Sequence, residues 1–583
     1  MASSDRLGPG LQEKLSGQPY SRFEADKDAE TCVPKRRSKL LTVAPFILGN
    51  ELCERLAYYS IATNLVQYLI DVLGFSVTDA NTTVTNWSGA CYILPLLGAF
   101  LADSYWGRYV TIIVFSIVYM LGLGGITLSA GVLALHGEHA AINQRAFFVA
   151  ALYIVAIGTG GIKPCVSTFG ADQFDEDDPR DVKEKASFFN WFYWSINIGA
   201  LVASLLVVNL QTSVSWAVGY AVPLAAFGLA LAIYLAGTPL YHRVAPGGSA
   251  LTRIAQVLWA AAVKWRLRPA PPEQLHELPD GKAAVRGSRR LAHTNHCNFL
   301  DRAATKRPGL PADSDDRWLY TVTQVEEVKR MASFVPIMLA TIVFNTVYAQ
   351  MSTVFVEQGM TMDLRMGKIS IASASLSAFD TIAIIVLIPL YDWVLAPWLR
   401  WTYLQRIGWG LVVSTFSMVA AAVVEVVRLR QVHALGLENS KAAVPISVFW
   451  LVPQYFIVGA AEILVNIGTM ELFYSEAPDA MRSTASALQL VTTALGNYVA
   501  TGVTMAVTSA TTAGGRRGWL PDNLNQGRLD LYYTVLVLLS AANMLFFLVV
   551  AHFYQYKKVA DAHHPAHVHP EPEGGNCLTV HLG

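Results

Sequence analysis

The sequence predicts an all-α membrane protein whose twelve transmembrane helices form two sets of six. Three observations lead to this prediction: a low charge content, twelve long apolar stretches and one long polar segment midway along the chain. Of the 583 residues, 53% are hydrophobic and only 15% are charged. Soluble domains carry about a quarter of charged residues, so most of this chain is expected to lie in lipid.

The apolar stretches match the roughly 20 residues that a membrane-crossing helix requires. Lipid offers the backbone no hydrogen-bond partners, so these stretches must be helical. The runs are continuously apolar rather than alternating, which excludes a strand barrel. The predicted crossings are residues 42–70, 83–102, 108–135, 146–168, 188–210, 215–236, 332–356, 370–394, 405–427, 447–473, 484–509 and 531–553.

The polar segment sets both the domain organisation and the orientation. Basic residues cluster before the first crossing, within this segment and after the last crossing, and such residues accumulate on the cytoplasmic side. With twelve crossings all three regions lie on one side, which is therefore cytoplasmic. The prediction comprises a cytoplasmic tail 1–41, a six-helix bundle 42–236, a cytoplasmic central loop 237–331, a second six-helix bundle 332–556 and a cytoplasmic tail 557–583.

Several function classes are excluded by what the sequence lacks. The formal net charge is zero, so no overall attraction to nucleic acid is expected. The cysteines are scattered without a CxxC pair, which argues against a metal site or a disulfide scaffold. No catalytic signature is present, so the chain is not predicted to be an enzyme. The sequon Asn81-Thr82-Thr83 falls on the non-cytoplasmic side and makes Asn81 a candidate glycosylation site.

The first crossing carries an unusual cluster of charged residues. Glu51, Glu54 and Arg55 are spaced i, i+3 and i+4, and Tyr58 and Tyr59 continue the same helical stripe. A charge at mid-membrane costs about 2.5–3.5 kcal/mol, so the cluster must face a cavity or itself. One acid can pair with Arg55, and the other can then bind and release a proton. The cluster therefore predicts a proton-coupling site; a structural ion-pair knot is the alternative.

Other polar residues interrupt apolar crossings further along the chain. Lys163 lies in the fourth, Asn197 in the fifth, Asp380 in the eighth and Glu462 in the tenth crossing. A cation from one half that faces an anion from the other suits a zwitterionic ligand. We therefore expect Lys163 and Glu462 to face each other across a central cavity, while Asn197 lines it.

Three motifs make residues 40–558 resemble the proton-dependent oligopeptide transporter family, and most closely its plant nitrate and peptide transporter branch. The segment Glu51-xx-Glu54-Arg55 is similar to the family's ExxER motif. The stretch from Gly98 to Gly122 resembles its first signature, and Phe189-xx-Phe192-Tyr193-Trp194-Ser195-Ile196-Asn197-Ile198-Gly199 resembles its second. The resemblance implies a major facilitator superfamily fold, in which two six-helix bundles alternate access to a central cavity.

The resemblance also implies roles for individual residues. Proton coupling is implied for one set, and substrate binding for a second set that partly overlaps it. The first set is Glu51, Glu54, Arg55, Lys163 and Glu462; the second is Tyr58, Tyr59, Tyr92, Lys163, Asn197 and Glu462. To the second set we add Tyr348 and Asp380, which stand where relatives hold a histidine and an asparagine.

Two departures from the family pattern bear on the mechanism and the substrate. Bacterial and animal members carry an acid in the seventh crossing where this chain has Ala349, so the family partner of Lys163 is missing and Glu462 is expected to substitute for it. The plant nitrate transporter binds nitrate through a histidine, and this chain has Tyr348 in its place. Tyrosine cannot become cationic, which disfavours nitrate.

The predicted function is proton-coupled import of di- and tripeptides by alternating access, without a cofactor and driven by the proton gradient. Local sequences such as Lys163-Pro164-Cys165-Val166-Ser167 resemble the plant di- and tripeptide subgroup. The alternatives are proton-coupled transport of nitrate or of another small metabolite, such as a hormone or glucoside, and a transporter-like sensor. The plasma membrane is favoured, with the vacuolar membrane as the alternative.

Overall fold

The computed structural model describes residues 38–556 except 132–136, 176–177, 245–249, 279–289, 308–317, 368, 400, 441 and 479–480. Most of both predicted cytoplasmic tails therefore lies outside the described residues. The described chain is almost entirely helical, as the apolar stretches predict.

The first half contains six helical crossings, several of them built from consecutive helical pieces. A short helix, Lys39–Thr42, precedes them. The crossings are α1 (Ala44–Ala62 and Leu65–Asp71), α2 (Val77–Ile93, Pro95–Leu101 and the π-helical turn Ala102–Trp106), α3 (Gly107–Gly131), α4 (Gly137–Ala171), α5 (Pro179–Val202, the π-helical turn Ala203–Val207 and Val208–Ser213) and α6 (Trp216–Ala236).

The second half contains six further crossings. They are α7 (Val322–Ser333, Val335–Tyr348, the 3-10 turn Ala349–Ser352 and Val354–Met360), α8 (the 3-10 turn Ser373–Ser377, Ala378–Leu390, the π-helical turn Tyr391–Leu395 and Ala396–Leu399), α9 (Tyr403–Leu435), α10 (the 3-10 turn Val448–Leu451, Val452–Glu462, the π-helical turn Ile463–Ile467 and Gly468–Glu476), α11 (Arg482–Thr512) and α12 (Leu529–Phe553).

The remaining elements are short and lie outside the crossings. Strand β1 (Met362–Asp363) pairs in parallel with β4 (Val444–Ser447), and β2 (Arg365–Met366) pairs antiparallel with β3 (Ile369–Ser370). The other elements are the 3-10 turns Thr238–Leu240, Pro272–Gln274, Asn298–Ala304 and Leu524–Gln526 and the helix Ala250–Val263.

The described chain has ten apolar helical stretches that are long enough to span a membrane, and these ten correspond to eleven of the twelve crossings. One of the ten, Val77–Gly131, holds both α2 and α3, which are divided at Gly107, where φ is +72°. The first crossing is not among the ten because its 19-residue piece Ala44–Ala62 carries three charged residues, Glu51, Glu54 and Arg55. The count rises from ten to twelve when Val77–Gly131 is divided into α2 and α3 and the charged first crossing is added.

The predicted central loop is partly folded, and α7 begins earlier than its hydropathy indicates. The helix starts at Val322 rather than at residue 332, and its first turns project beyond the apolar segment. Lys329, on this extension, bonds Asp301 at 2.7 Å and Glu326 at 2.8 Å, and all three side chains are buried. The charged residues of this segment predict a loop by composition alone. Because they are paired and buried in the ion-pair network, they are compatible with a packed helix.

Each half packs around its own aromatic core, and the halves meet mainly at one end. Eight hydrogen bonds join the described parts of the two halves. In the first half they all involve residues 77–86 of α2 or residues 204–209 of α5, which lie toward the non-cytoplasmic side in the predicted orientation. The described structure is therefore closed on that side.

Candidate functional site

A cavity lies between the two halves, on the inner side of this closure. Its wall combines tyrosines with small polar residues and one acid. The residues that define it include Tyr58, Tyr59 and Tyr92 from the first half and Tyr348, Asp380 and Asn497 from the second. A mostly apolar cleft with a few polar groups is typical of a small-molecule site.

The charged cluster of α1 forms a compact ion-pair group beside the cavity. The Arg55 Nε lies 2.7 Å from Glu51 and 3.2 Å from Glu54. Both acids are buried, and neither oxygen of Glu54 accepts a hydrogen bond from a described residue. Gly199 of α5 permits this packing, because a Cβ there would lie 2.7 Å from the Leu52 carbonyl oxygen. The predicted meeting of two acids with one guanidinium is thus observed.

Lys163 is held by aromatic rings rather than by an acid. Its ammonium lies 3.8 Å from the centre of the Tyr58 ring and 4.0 Å from that of Tyr92. The side chain is only 8% exposed, and its nitrogen has no hydrogen-bond partner among the described residues. Cation–π attraction compensates part of its charge, which leaves it able to bind an anionic group.

The second half presents two acids to the same region. Asp380 on α8 and Glu462 on α10 are close enough for their charges to interact. Glu462 also interacts with Tyr348 and Asn466, and Asp380 has an oxygen without a described partner. Neither acid forms a salt bridge with a described residue. A π-helical turn follows Glu462 directly, and such turns often occur at functional sites.

The expected contact between Lys163 and Glu462 is not made. Among the described residues, no salt bridge of 4.0 Å or less joins them, and the two side chains contact different tyrosines. The described hydrogen bonds hold the halves together only toward the non-cytoplasmic side of the predicted orientation, which leaves these deeper side chains apart. Asn197 is half-buried, and its amide donates to the Tyr193 carbonyl at 2.8 Å in its own helix rather than lining the cavity.

Asn81 does not fit the glycosylation prediction in this conformation. Its side chain is 1% exposed, and its Nδ2 donates to Glu357 of the other half at 3.0 Å. A glycan cannot be attached to a buried amide that is packed between two bundles. Position relative to the membrane suggested exposure, but the sequence carries no signal for the contact between the halves.

Sequence reasoning missed several polar residues that line the cavity. Asn497 and Thr493 lie on α11, and Ser204 and Ser377 join α5 to α8 by a hydrogen bond of 3.1 Å. The signal for Asn497 was present, because an asparagine in an apolar crossing needs a polar partner. The serines gave no such signal, since isolated hydroxyls are common in transmembrane helices.

Fold and site together define a polytopic membrane transporter with a central cavity between two six-helix bundles. A model of the POT family matches residues 109–520. The Arabidopsis thaliana protein NRT1/PTR FAMILY 8.3 is 48% identical over 536 residues, which cover 88% of this chain and 92% of the relative. NRT1/PTR FAMILY 8.1 of the same plant is 47% identical and covers 89% and 94%, respectively. The chain belongs to the POT family, whose members are transporters and not enzymes.

Solved structures of similar fold confirm the predicted major facilitator architecture. An auto-inhibited POT family peptide transporter has a TM-score of 0.67 at 24% identity and covers 90% of this chain and 98% of its own. The POT family transporter PepTSo has a TM-score of 0.63 at 21% identity and covers 88% and 99%. At these identities the likeness establishes the fold, and the chain is a multi-pass membrane protein of that fold.

Proposed function

We propose that this protein is a proton-coupled symporter that imports di- and tripeptides by alternating access. One observation carries the proposal: a cation, Lys163, and two acids, Asp380 and Glu462, flank one cavity from opposite halves of the molecule. A peptide is a zwitterion, so its carboxylate suits the first and its ammonium suits the second. The solved neighbours described as peptide transporters support the same substrate class.

The alternatives receive less support from the cavity. Nitrate has no positive group to compensate the two acids, and Tyr348 stands where a charged histidine would bind it. A metabolite without an amino group has the same difficulty. A sensor does not require the buried cluster of Glu51, Glu54 and Arg55, which costs free energy to maintain in a membrane.

The proton gradient supplies enough energy for this function without a cofactor. One proton that moves down 100 mV provides about 2.3 kcal/mol, and each pH unit adds about 1.4 kcal/mol. Together they allow a neutral peptide to be concentrated by several hundredfold at one proton per peptide. Such import suits the plasma membrane, which we propose as the location.

Uptake into voltage-clamped oocytes tests the proposal. A dipeptide at acidic external pH should evoke inward current, and Glu54→Gln should abolish it at equal surface expression. Current with nitrate and none with any dipeptide would refute peptide transport.

The role of Glu462 is tested separately. Glu462→Gln should weaken transport of peptides with a free amino terminus more than that of acetylated peptides, because only the former carry an ammonium group. Glu471→Gln is the matched control, since Glu471 lies on the same helix but pairs with Arg406 at 2.9 Å. Equal losses for both kinds of peptide would reject ammonium binding by Glu462.

A further inference from the structure

A further acid without a described compensating cation lies at the extracellular closure, among residues that do not line the cavity. Glu357 is on the last helical piece of α7 and is 2% exposed. Its Oε2 accepts the hydrogen bond from Asn81 of α2, which links the two halves at 3.0 Å. Its Oε1 and the Asn81 Oδ1 both lack a hydrogen-bond partner among the described residues.

No described lysine, arginine or histidine lies within salt-bridge distance of Glu357. The neutral hydroxyls of Tyr532 and Tyr533 on α12 lie near it. Those hydroxyls donate to Gln350 and Gln358 instead. A neutral amide is therefore the single hydrogen-bond partner of this carboxyl group in the described chain.

Apart from Asp522, which accepts a hydrogen bond from the Val77 backbone across the closure at 3.3 Å, the other titratable groups near the closure are engaged elsewhere. Glu425 on α9 accepts from Gln358 and is paired with buried Arg428 at 2.6 Å. On α2, Asp79 accepts a hydrogen bond from Ser76. Asp71, at the end of α1, is exposed and has an interaction partner. Asp363 on β1 lies 3.7 Å from Arg365. On α10, Tyr455 donates to the Met351 carbonyl. None of these groups supplies a positive charge to Glu357.

An ionised carboxylate is costly in such a place. Burial of a charge without a cation or several hydrogen bonds is strongly unfavourable, and the group becomes neutral instead. Alternating access requires this closure to open, because the eight hydrogen bonds block the extracellular route. Opening separates Glu357 from Asn81 and admits water, which stabilises the carboxylate. Closed and open states therefore prefer different protonation states of the same side chain.

We propose that Glu357 is a proton-binding site of the extracellular gate, which takes up a proton when the two halves close over the cavity. The inference rests on the proposed proton-coupled transport and adds a site outside the α1 cluster and the cavity. Protonated Glu357 can also donate to the unpartnered Asn81 Oδ1, so the neutral pair forms two hydrogen bonds where the charged one forms one. One coupled proton changes the ratio of closed to open molecules by at most tenfold per pH unit.

Distance measurements between the two halves test this site without any substrate. Spin labels at Val214 and Leu435, both exposed at the extracellular ends of opposite halves, report gate closure in a chain whose cysteines have been replaced. The full-length protein is reconstituted in lipid nanodiscs, and double electron–electron resonance is recorded from pH 8 to pH 5. The wild type should become more closed as pH falls, by up to tenfold per unit.

Glu357→Gln mimics the protonated group, so this variant should stay closed from pH 8 to pH 5. Its ratio of closed to open molecules should lose the wild-type change of up to tenfold per pH unit. Glu438→Gln removes an exposed acid at the same end of the molecule and should retain the wild-type response. Asn81→Asp, a second variant, places two acids in contact and should make closure steeper with pH. A wild-type response in Glu357→Gln, or a shallower one in Asn81→Asp, would overturn the proposal.

The outcome is separable from the proposed function. If dipeptides evoke no current but Glu357→Gln abolishes the pH response, the gate site stands and peptide symport fails. If the wild-type distances do not change with pH, Glu357 takes up no proton on closure, whatever the current measurements give. If Glu54→Gln instead of Glu357→Gln removes the response, the proton belongs to the α1 cluster and the gate site is refuted.

Discussion

Around the central cavity, the two halves of this transporter treat buried charge in opposite ways. In the first half, Arg55 lies between Glu51 and Glu54, and Lys163 lies against two aromatic rings. In the second half, Asp380 and Glu462 adjoin one another without a described cation. Beside the cavity, the acids of the first half are therefore nearly balanced by described cations, whereas those of the second half are not.

This difference indicates where substrate and proton act. A balanced cluster gains little from a bound ion, but its net charge changes when one acid takes up a proton. An unbalanced acid pair gains most from a bound cation, such as a peptide ammonium group. Under the proposed function, the α1 cluster of the first half responds to protons, and the cavity acids of the second half bind the amino terminus of the peptide.

The largest expected effect is the loss of balance in the first half. Arg55→Ala leaves two buried acids without their shared cation. Breaking a buried ion pair in this way lowers the free energy of unfolding by about 3–5 kcal/mol. Transport should fall more than 100-fold, and the melting temperature in detergent should decrease. Arg365→Ala is the control, because that side chain is 82% exposed and its removal should change neither quantity. Normal transport by Arg55→Ala would show that transport does not depend on the charge balance of the α1 cluster.

A smaller effect is expected in the second half. Asp380→Asn should raise the KM for peptides with a free amino terminus by about 10- to 100-fold, because a hydrogen bond to a charged group contributes about 1.5–3 kcal/mol. Acetylated peptides should be affected little. The double variant with Glu462→Gln should lose less than the sum of the two single changes, since adjoining residues are not additive. Strict additivity would mean that the two acids act on different groups.

The smallest expected effect concerns the aromatic cradle of Lys163. Tyr92→Leu removes a cation–π contact of about 0.5–2 kcal/mol, so uptake should fall by about 2- to 30-fold. Tyr92→Phe keeps the ring and should retain most of the activity. Uptake of radiolabelled dipeptide at fixed surface expression measures both. If Tyr92→Phe is as defective as Tyr92→Leu, the hydroxyl matters rather than the ring, and the proposed cradle is wrong.

Much of the fold could be predicted from the sequence because hydropathy acts locally. A run of about 20 apolar residues can be satisfied in lipid only by a helix, so the crossings follow from composition. The boundaries were harder where polar residues belong to helices, as at the start of α7, where Lys329 is neutralised by Asp301 of the central loop and by Glu326 of α7 itself.

The candidate site was partly predictable for the same reason. Glu51, Glu54 and Arg55 lie within one helical turn of each other, so their spacing alone brings them together. Contacts between distant segments have no such local cause. The seating of Lys163 on Tyr58 and Tyr92 depends on how α4 packs against α1 and α2.

The sequence by itself determined that this protein is a helical membrane transporter with buried charges in its first crossing, because insertion energetics and helical periodicity act within a single segment. Only the tertiary structure decided which of those charges are balanced. It left Lys163 and Glu462 apart, joined Asn81 to Glu357 and buried both at the closure. Partners for a buried charge are chosen by the packing of whole bundles, and that packing is a property of the folded molecule.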